Sequence, residues 1–395
     1  MDGPEATALD ASKIDFRVLQ DFTMSYHDKL QKEGGQRKLL ACDGGGIRGI
    51  VSIEILAQIE DELRKSSGTQ ELVLADYFDY VAGTSTGAII ATLIALGYGT
   101  DKVRDFYLRS GAEMFEKARL WERFKTKFRD DKLSIMLQNV IGADTLFGSG
   151  KLRTLLMIVL RNATTDSPWP LSNNPNAKFN LPGTPGRNTD LVLWQLVRAS
   201  TAAPTYFPPE MIKVGPREFI FVDGGVTMYN NPAFQLFLMA TTQSYRLCWP
   251  TGEEKMLLIS VGTGASANAN ANLSPEEMSL LYNASMVPCA LMSAALHEQD
   301  FLCRIFGKCL VGEVLNEEVE TVIGNGIPNV PKLFTYARYN PELSREGLDA
   351  LGLPGINPAH VQQMDSVEYI EEMQQVGLAV AKQKVRAVHF AGFPA

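Results

Sequence analysis

The sequence has little of several features that mark particular classes of protein. Only five of its 395 residues are cysteines, an odd and scattered set, and Cys303 and Cys309 lack a neighbouring histidine or cysteine at zinc-binding spacing. We therefore expect buried free thiols and a reducing, cytoplasmic setting. The first residues lack the basic and apolar regions of a secretory signal, and no apolar run approaches the roughly 20 residues of a membrane-spanning helix.

Positive charge is also scarce. Lysine and arginine total 37 against 45 aspartates and glutamates, a formal net charge of −8. This balance gives no general attraction to nucleic acid or anionic lipid, so we expect no nucleic-acid partner and only transient, peripheral membrane contact through a local patch. One candidate patch is the segment 115–132, where Trp121, Phe124 and Phe128 recur at helical spacing among basic residues. The same spacing also fits a surface helix packed on the core.

Strand patterns alternate with helix patterns along the chain. The predicted strands are Arg37–Cys42, Tyr77–Ala82, Leu152–Leu160, Phe219–Val222 and Lys255–Val261, and the predicted helices are Ile50–Leu63 and Thr86–Leu96. This alternation predicts an α/β fold, a three-layer sandwich with a mainly parallel sheet and helices on both faces. The segment 164–188, rich in Pro, Asn and Gly, predicts a loop.

Composition divides the chain into three parts. Residues 1–35 are polar and predict an N-terminal extension, residues 36–264 form a core that carries the motifs, and residues 265–395 predict a helical C-terminal portion packed on that core. The polar, low-complexity stretch 265–277 would connect the last two parts.

The sequence YVAGTSTGAII contains a G-x-S-x-G motif, Gly83 to Gly87, between a predicted strand and an apolar helix. In a nucleophile elbow, a sharp strand-to-helix turn pushes the serine hydroxyl out of the fold. The positive end of the following helix also stabilises an anion beside that hydroxyl. Ser85 is therefore the candidate nucleophile.

The sequence LLACDGGGIRGI carries a second glycine-rich loop, which also fits G-x-G-x-x-G through Gly44, Gly46 and Gly49. A dinucleotide site needs an acid at the tip of the next strand, which is absent here, and Asp43 would repel a pyrophosphate. An oxyanion hole needs only rigid backbone N–H groups near the serine. We therefore expect Gly44, Gly45 and Gly46 to form the oxyanion hole.

A serine nucleophile requires a base, which in this chain could be a histidine or an aspartate. The chain has only four histidines, of which His297, His360 and His389 follow Ser85 in the order of a Ser–Asp–His triad, whereas His27 lies in the extension. The alternative base is Asp223, which ends an apolar strand and precedes two glycines. Partial burial would raise the pKa of this carboxyl and make it a better proton acceptor.

Together, the three motifs resemble those of the patatin-like phospholipase family. That family carries D-G-G-G-x-R-G, G-x-S-x-G and D-G-A/G motifs, matched here at 43–49, 83–87 and 223–225. The stretches 199–209, 230–232 and 259–264 are similar as well, so the resemblance covers about residues 38–264.

The resemblance implies a Ser–Asp dyad without histidine, with Ser85 as nucleophile and Asp223 as base, and an oxyanion hole in the Gly44–Gly46 region. It also implies that Arg48 braces this loop or meets a phosphate, although Arg48 could instead pair with a nearby acid. The supporting motif positions are Asp43, Arg48, Gly49, Gly83, Gly87, Gly224 and Gly225.

The expected function is that of a lipid acyl hydrolase of the phospholipase A type. Such an enzyme cleaves fatty-acyl esters of membrane lipids through an acyl-serine, with no metal and no organic cofactor. Two alternatives remain open at this point. One is an acyltransferase or thioesterase that uses the same dyad, and the other is a Ser–Asp–His esterase.

Overall fold

A computed structural model describes residues 25–32, 34–115, 132–204, 207–265, 280–315, 323 and 326–395. The helices are α1 Tyr26–Gln31, α2 Gly49–Ser67, α3 Leu74–Tyr77, α4 Thr86–Ala95, α5 Thr100–Phe115, α6 Lys132–Ile141, α7 Leu193–Ser200, α8 Ala233–Thr241, α9 Leu280–Phe306, α10 Arg345–Ala350, α11 Pro358–Val361 and α12 Ile370–Lys384. The strands are β1 Arg37–Cys42, β2 Tyr80–Thr84, β3 Leu155–Asn162, β4 Ser167–Ser172, β5 Glu210–Val214, β6 Arg217–Asp223, β7 Met256–Val261, β8 Gly307–Val311 and β9 Phe334–Tyr339.

The nine strands form one mixed, mostly parallel sheet in the order β5-β6-β3-β2-β1-β7-β9-β8, with β4 paired to β3. From β3 to β8 the neighbours are parallel, while β4, β5 and β6 form the antiparallel pairings. Helices α2 and α4 pack against each other, as do α8 and α9. Strands β1, β2, β7 and β9 are buried along their whole length, because helices flank the sheet. The predicted α/β architecture is confirmed.

The predicted elements of the core are present, β1 with its predicted bounds and the others with shifted ends. The strand predicted from Tyr77 begins at Tyr80 and runs to Thr84, because Tyr77 closes helix α3. The predicted loop 164–188 was wrong in part, since β4 lies within it and pairs with β3. Strand β4 contains Pro168 and Pro170 and pairs only with β3, so it lies at an edge where the missing N–H groups of proline are tolerated.

The C-terminal portion contains the helices predicted there and also two strands that were not predicted. Strand β9 pairs with β7 and thereby extends the sheet beyond the motif-bearing part of the chain. Residues 116–131 of the predicted aromatic helix 115–132 lie outside the described residues. The same holds for residues 1–24 and for the connecting stretch from residue 266 onward. Cys42 and Cys303 are buried thiols, as expected, whereas Cys248 and Cys309 are exposed.

Candidate active site

Ser85 lies at the turn between strand β2 and helix α4, half-buried and with a backbone φ of 53° and ψ of −124°. A positive φ at a residue with a side chain is strained and persists only where the surroundings hold it. Here the Ser85 N–H donates to Ser200 Oγ at 2.9 Å, and the Ser200 hydroxyl donates to the carbonyl of Val159 at 2.7 Å. Helix α7 therefore helps to fix the sharp turn that presents the Ser85 hydroxyl.

The glycines around Ser85 allow the close packing of this turn. A Cβ on Gly83 would lie 2.0 Å from the carbonyl oxygen of Gly87, and a Cβ on Gly87 would lie 2.2 Å from that of Cys42. Any side chain at either position would push helix α4 away from β1 and β2. The spacing of the G-x-S-x-G motif thus follows from the contact between strand, turn and helix.

Strand pairing brings Asp223 next to Ser85. Strand β4 pairs with one edge of β3. On the opposite edge, β2 pairs with the first part of β3 and β6 pairs with its last part. Thr84 pairs with Val159, and Asp223 pairs with the next residue, Leu160. The end of β2 and the end of β6 therefore meet, and Ser85 Oγ donates a hydrogen bond to Asp223 Oδ2 at 2.6 Å.

The Asp223 carboxyl is nearly inaccessible, with only 4% of the residue exposed. Burial raises its pKa to about 6, although hydrogen bonds from the Ser85 hydroxyl and the Gly225 N–H stabilise the charged form and oppose that rise. The Gly225 N–H donates to Oδ1 at 2.6 Å, while Gly224 and Gly225 form the turn that follows the strand. The carboxylate is therefore mostly ionised near pH 7 and more basic than an exposed aspartate.

Histidine makes no hydrogen bond with Ser85 or Asp223 among the described residues. Each of the four has other surroundings. His27 is exposed and stacks on Tyr26, and His297 lies on α9, where burial lowers its pKa. The ring of His360 contacts Glu372, and that of His389 contacts the hydroxyl of Tyr339. The geometry thus favours the aspartate over a histidine as the partner of Ser85.

The glycine-rich loop lies directly against Ser85. A Cβ on Gly44 would approach the Cβ of Ser85 to 3.2 Å. However, the Gly44 N–H already donates to the carbonyl of Asn230 at 3.1 Å. In the part of the chain that the structure describes, the N–H groups of Gly45 and Gly46 donate to no acceptor. Gly45 and Gly46, and not Gly44, are therefore the donors left available by this loop.

Contacts on several sides hold the loop in place. Gly46 has a φ of +60°, and a Cβ there would lie 2.1 Å from the carbonyl oxygen of Met364. The Tyr107 hydroxyl donates to the Gly46 carbonyl and lies 2.8 Å from Thr86 Oγ1. A Cβ on Gly45 would lie 2.0 Å from Thr263 Oγ1. Neighbouring groups thus fill the space that side chains on this loop would need.

Asp43, which precedes the first glycine of the loop, forms a buried ion pair with Arg338 on β9. The two nitrogen–oxygen distances are 2.9 and 2.5 Å, and the guanidinium also donates to Ser260 Oγ at 2.7 Å. Asp43 is 0% and Arg338 2% exposed. The carboxylate is therefore paired with a guanidinium inside the protein, and its expected repulsion of a pyrophosphate stays a prediction.

Arg48 and Gly49 connect the loop to its surroundings. Arg48 donates a long hydrogen bond of 3.5 Å to the carbonyl of Gln362, which supports a bracing role towards the C-terminal portion. A Cβ on Gly49 would lie 2.6 Å from the Tyr107 hydroxyl oxygen. Both residues therefore belong to the scaffold of the loop.

The described residues contain neither a metal-binding group nor a membrane-spanning helix. Within 25–32, 34–115, 132–204, 207–265, 280–315, 323 and 326–395, no group of three or more His, Cys, Asp or Glu side chains is placed to hold a metal ion. None of the helices in these ranges combines the length and the apolar character needed to cross a membrane.

Comparison with known proteins identifies the family. The sequence model of the patatin-like phospholipases matches residues 40–237, half of the chain, and this match includes both Ser85 and Asp223. The chain belongs to the patatin-like phospholipase family.

This patatin-like chain is 30% identical over 210 residues to a cGAMP-activated phospholipase of Vibrio cholerae serotype O1, covering 50% of this chain and 56% of the relative. It is 27% identical over 262 residues to patatin-like protein 4 of Arabidopsis thaliana, covering 61% of this chain and 62% of the relative. The chain thus spans about 60% of the length of these curated relatives. Among solved structures, it is similar to VipD from Legionella pneumophila with a TM-score of 0.38 and 12% identity, covering 88% of this chain and 66% of that one.

Some residues of the patatin-like site were not singled out from the sequence. Ser200 and Asn230 lie within stretches that resemble the family, but nothing in the sequence indicates that they contact Ser85 or the glycine loop. Arg338 and Met364 lie outside the family match. Their contacts depend on how β9 and the C-terminal portion fold back on the core, which local sequence patterns do not encode.

Proposed function

We propose that the protein is a lipid acyl hydrolase that cleaves fatty-acyl esters of membrane lipids through a Ser85–Asp223 dyad. The observation that carries this proposal is the 2.6 Å hydrogen bond from Ser85 Oγ to Asp223 Oδ2. A hydroxyl bonded to a buried carboxylate of raised pKa is placed to lose its proton when it attacks an ester.

In the first half of the reaction, Asp223 takes the Ser85 proton as the serine oxygen attacks the ester carbonyl carbon. The N–H groups of Gly45 and Gly46 donate to the oxyanion that forms, and their fixed loop requires no reorganisation at that moment. The tetrahedral intermediate then collapses and breaks the ester bond. Asp223 returns the proton to the departing alcohol or lysolipid, and an acyl-serine remains.

In the second half, water attacks the acyl-serine. Asp223 accepts a proton from this water, the oxyanion forms again at the same donors, and collapse releases the fatty acid. The proton passes back to Ser85 Oγ, so the dyad returns to its starting state. Neither half requires a metal ion or an organic cofactor.

A lipid substrate is supported by the family and by the surroundings of the site. Relatives named as phospholipases match this chain over 210 and 233 residues, and the family match at residues 40–237 contains both Ser85 and Asp223. Met228, three residues after Gly225, is 47% exposed, and Leu291 on α9 is 65% exposed. The neighbour of Leu291, Met292, would contact a Cβ on Gly225 at 3.4 Å. Exposed apolar side chains on the segments that border Gly225 suit acyl chains and transient, peripheral contact with a membrane.

The deciding experiment combines probe labelling with lipid analysis. Wild type, Ser85→Ala and the exposed-serine control Ser66→Ala are treated with a fluorophosphonate probe, and each is incubated with phosphatidylcholine and phosphatidylglycerol vesicles. We expect labelling and fatty-acid release from wild type and the control, and neither from Ser85→Ala. Full labelling of Ser85→Ala, or a wild type that hydrolyses a soluble ester but none of the vesicle lipids, would contradict the proposal.

A further inference from the structure

The side chain of Asn230 is buried and has no hydrogen-bond partner among the described residues. Asn230 is 5% exposed, and its buried amide oxygen Oδ1 has no hydrogen-bond partner among the described residues. A buried polar group without a partner costs free energy and calls for an explanation, such as a ligand that completes its hydrogen bonds. A side-chain amide can offer two donors and one acceptor oxygen.

This amide lies between the two glycine segments that border the dyad. A Cβ on Gly44 would lie 2.4 Å from Asn230 Oδ1 and 3.2 Å from the Cβ of Ser85. A Cβ on Gly225 would lie 3.1 Å from the same amide oxygen and 3.0 Å from Asp223 Oδ1. The amide is therefore adjacent to the nucleophile on one side and to the base on the other.

The backbone around Asn230 is held by both motifs. Its carbonyl accepts the hydrogen bond from the Gly44 N–H at 3.1 Å, and the preceding carbonyl, of Tyr229, accepts one from the Thr84 hydroxyl at 2.6 Å. The main chain at Asn230 is thus fixed to the glycine loop and to the end of strand β2. A side chain on such a backbone is pre-organised for contact with a bound group.

A 180° rotation of the amide exchanges its oxygen and nitrogen and replaces the unpartnered acceptor with a donor. We propose that Asn230 contacts the substrate in this rotated orientation and donates its amide N–H to the ester carbonyl oxygen as this becomes an oxyanion. It acts there as a third donor beside the N–H groups of Gly45 and Gly46. A neutral amide suits this position, because a cationic donor would pair with Asp223 and weaken it as a base. This inference rests on the proposed function, since it assigns a partner to the transition state of that reaction.

The test measures kcat and KM for a soluble short-chain ester, together with thermal melting, in Asn230→Ala and Asn230→Asp. Asn176→Ala is the control, since Asn176 is an exposed asparagine away from the motifs. Loss of one oxyanion donor lowers kcat by about 10²–10³-fold, and we expect a fall of this size in Asn230→Ala with little change in KM. A change confined to KM would overturn the assignment, because ground-state binding alone would then explain it.

Asn230→Asp keeps the size of the side chain and provides a second test should the alanine variant fold poorly. A carboxylate supplies no donor near neutral pH and places a negative charge beside Asp223. We expect kcat at or below that of Asn230→Ala and an acidic limb of the rate profile shifted to higher pH. Folded variants that keep kcat within about three-fold of wild type would overturn the inference. The proposed function would stand in that case if Ser85→Ala remained inactive, and would itself fail if Ser85→Ala were active.

Discussion

Arg338 holds the carboxylate of Asp43 by two hydrogen bonds, although 295 positions separate the two residues in the chain. Burial lowers the pKa of Arg338, but the carboxylate of Asp43 outweighs this effect and the pKa is raised, so the guanidinium stays charged. Asp43 leads directly into Gly44, and Arg338 belongs to strand β9. The position of the glycine loop therefore depends on the C-terminal portion of the chain.

The first prediction concerns the stability of this ion pair. Arg338→Met leaves the Asp43 carboxylate buried and uncompensated, which typically costs about 3–5 kcal/mol of unfolding free energy. Combining it with Asp43→Leu removes the unpaired charge, so the double variant is expected to be more stable than Arg338→Met alone. Urea unfolding of the two single variants and the double variant measures the coupling.

The matched control for the ion pair is Arg187→Met. Arg187 pairs with Asp190 at 2.6 Å, but both side chains are well exposed. Exposed pairs contribute roughly 0–1 kcal/mol, so this variant should unfold nearly as wild type does. Equal, small losses in Arg338→Met and Arg187→Met would show that the buried pair does not support the fold.

The second prediction concerns the pH dependence of activity. In the proposed mechanism Asp223 must be ionised to accept the serine proton, and burial raises the pKa of this carboxyl to about 6. We therefore expect kcat/KM for a soluble ester to rise with pH through about 6 and to level off above it. Asp223→Asn should lose nearly all activity and show no such limb. An acidic limb retained in a still active Asp223→Asn variant would assign the titration to another group.

The same pKa predicts how stability changes with pH. Because the folded-state pKa is raised above the ordinary value, Asp223 binds its proton more tightly in the folded protein. Its contribution to stability is present below about pH 4 and is lost as the pH rises through about 6. Above that pH the buried charge costs up to about 3 kcal/mol. Asp223→Asn should thus be more stable than wild type at pH 8 by urea unfolding, and a variant less stable there would contradict the raised pKa.

The third prediction concerns the donors of the glycine loop. A methyl group at Gly45 would overlap Thr263, so Gly45→Ala must displace the loop and its N–H groups. We expect kcat to fall by about 10²-fold or more, with a smaller change in KM. Gly150→Ala is the control, because a Cβ on Gly150 would meet no heavy atom of the described residues within 4 Å and Gly150 has no positive φ. Equal activity in the two variants would remove the loop from the mechanism.

The fourth prediction separates the dyad from a triad. A variant in which His27, His297, His360 and His389 are all replaced by glutamine should keep most of its rate, because none of them is hydrogen-bonded to the dyad in the described residues. Thermal melting must first show that it folds, since His297 is half-buried. A folded but inactive histidine-free protein, beside an active Asp223→Asn, would favour the Ser–Asp–His alternative.

Local patterns predicted the centre of the fold well. Strand β1 matches its predicted bounds, and α4 ends one residue short of its own, because each is a short, strongly apolar segment next to a glycine-rich turn. Strand β4 was missed because prolines in a polar segment indicate a loop, while an edge strand tolerates them. Strand β9, FTYARY, has the aromatic and β-branched residues of a strand, but it lies in a portion dominated by helical patterns.

The sequence by itself determined which groups the chain offers for the proposed chemistry. A serine between strand and helix, a run of glycines and an aspartate after a strand are local patterns, and their types follow directly from the residues. Only the tertiary structure decided how these groups meet. Strands β2 and β6 both pair with the same edge of β3, which places Ser85 Oγ 2.6 Å from Asp223 Oδ2. The carbonyl of Asn230 accepts the hydrogen bond from the Gly44 N–H. These relationships join distant parts of the chain, so they depend on sheet register and packing and not on any single motif.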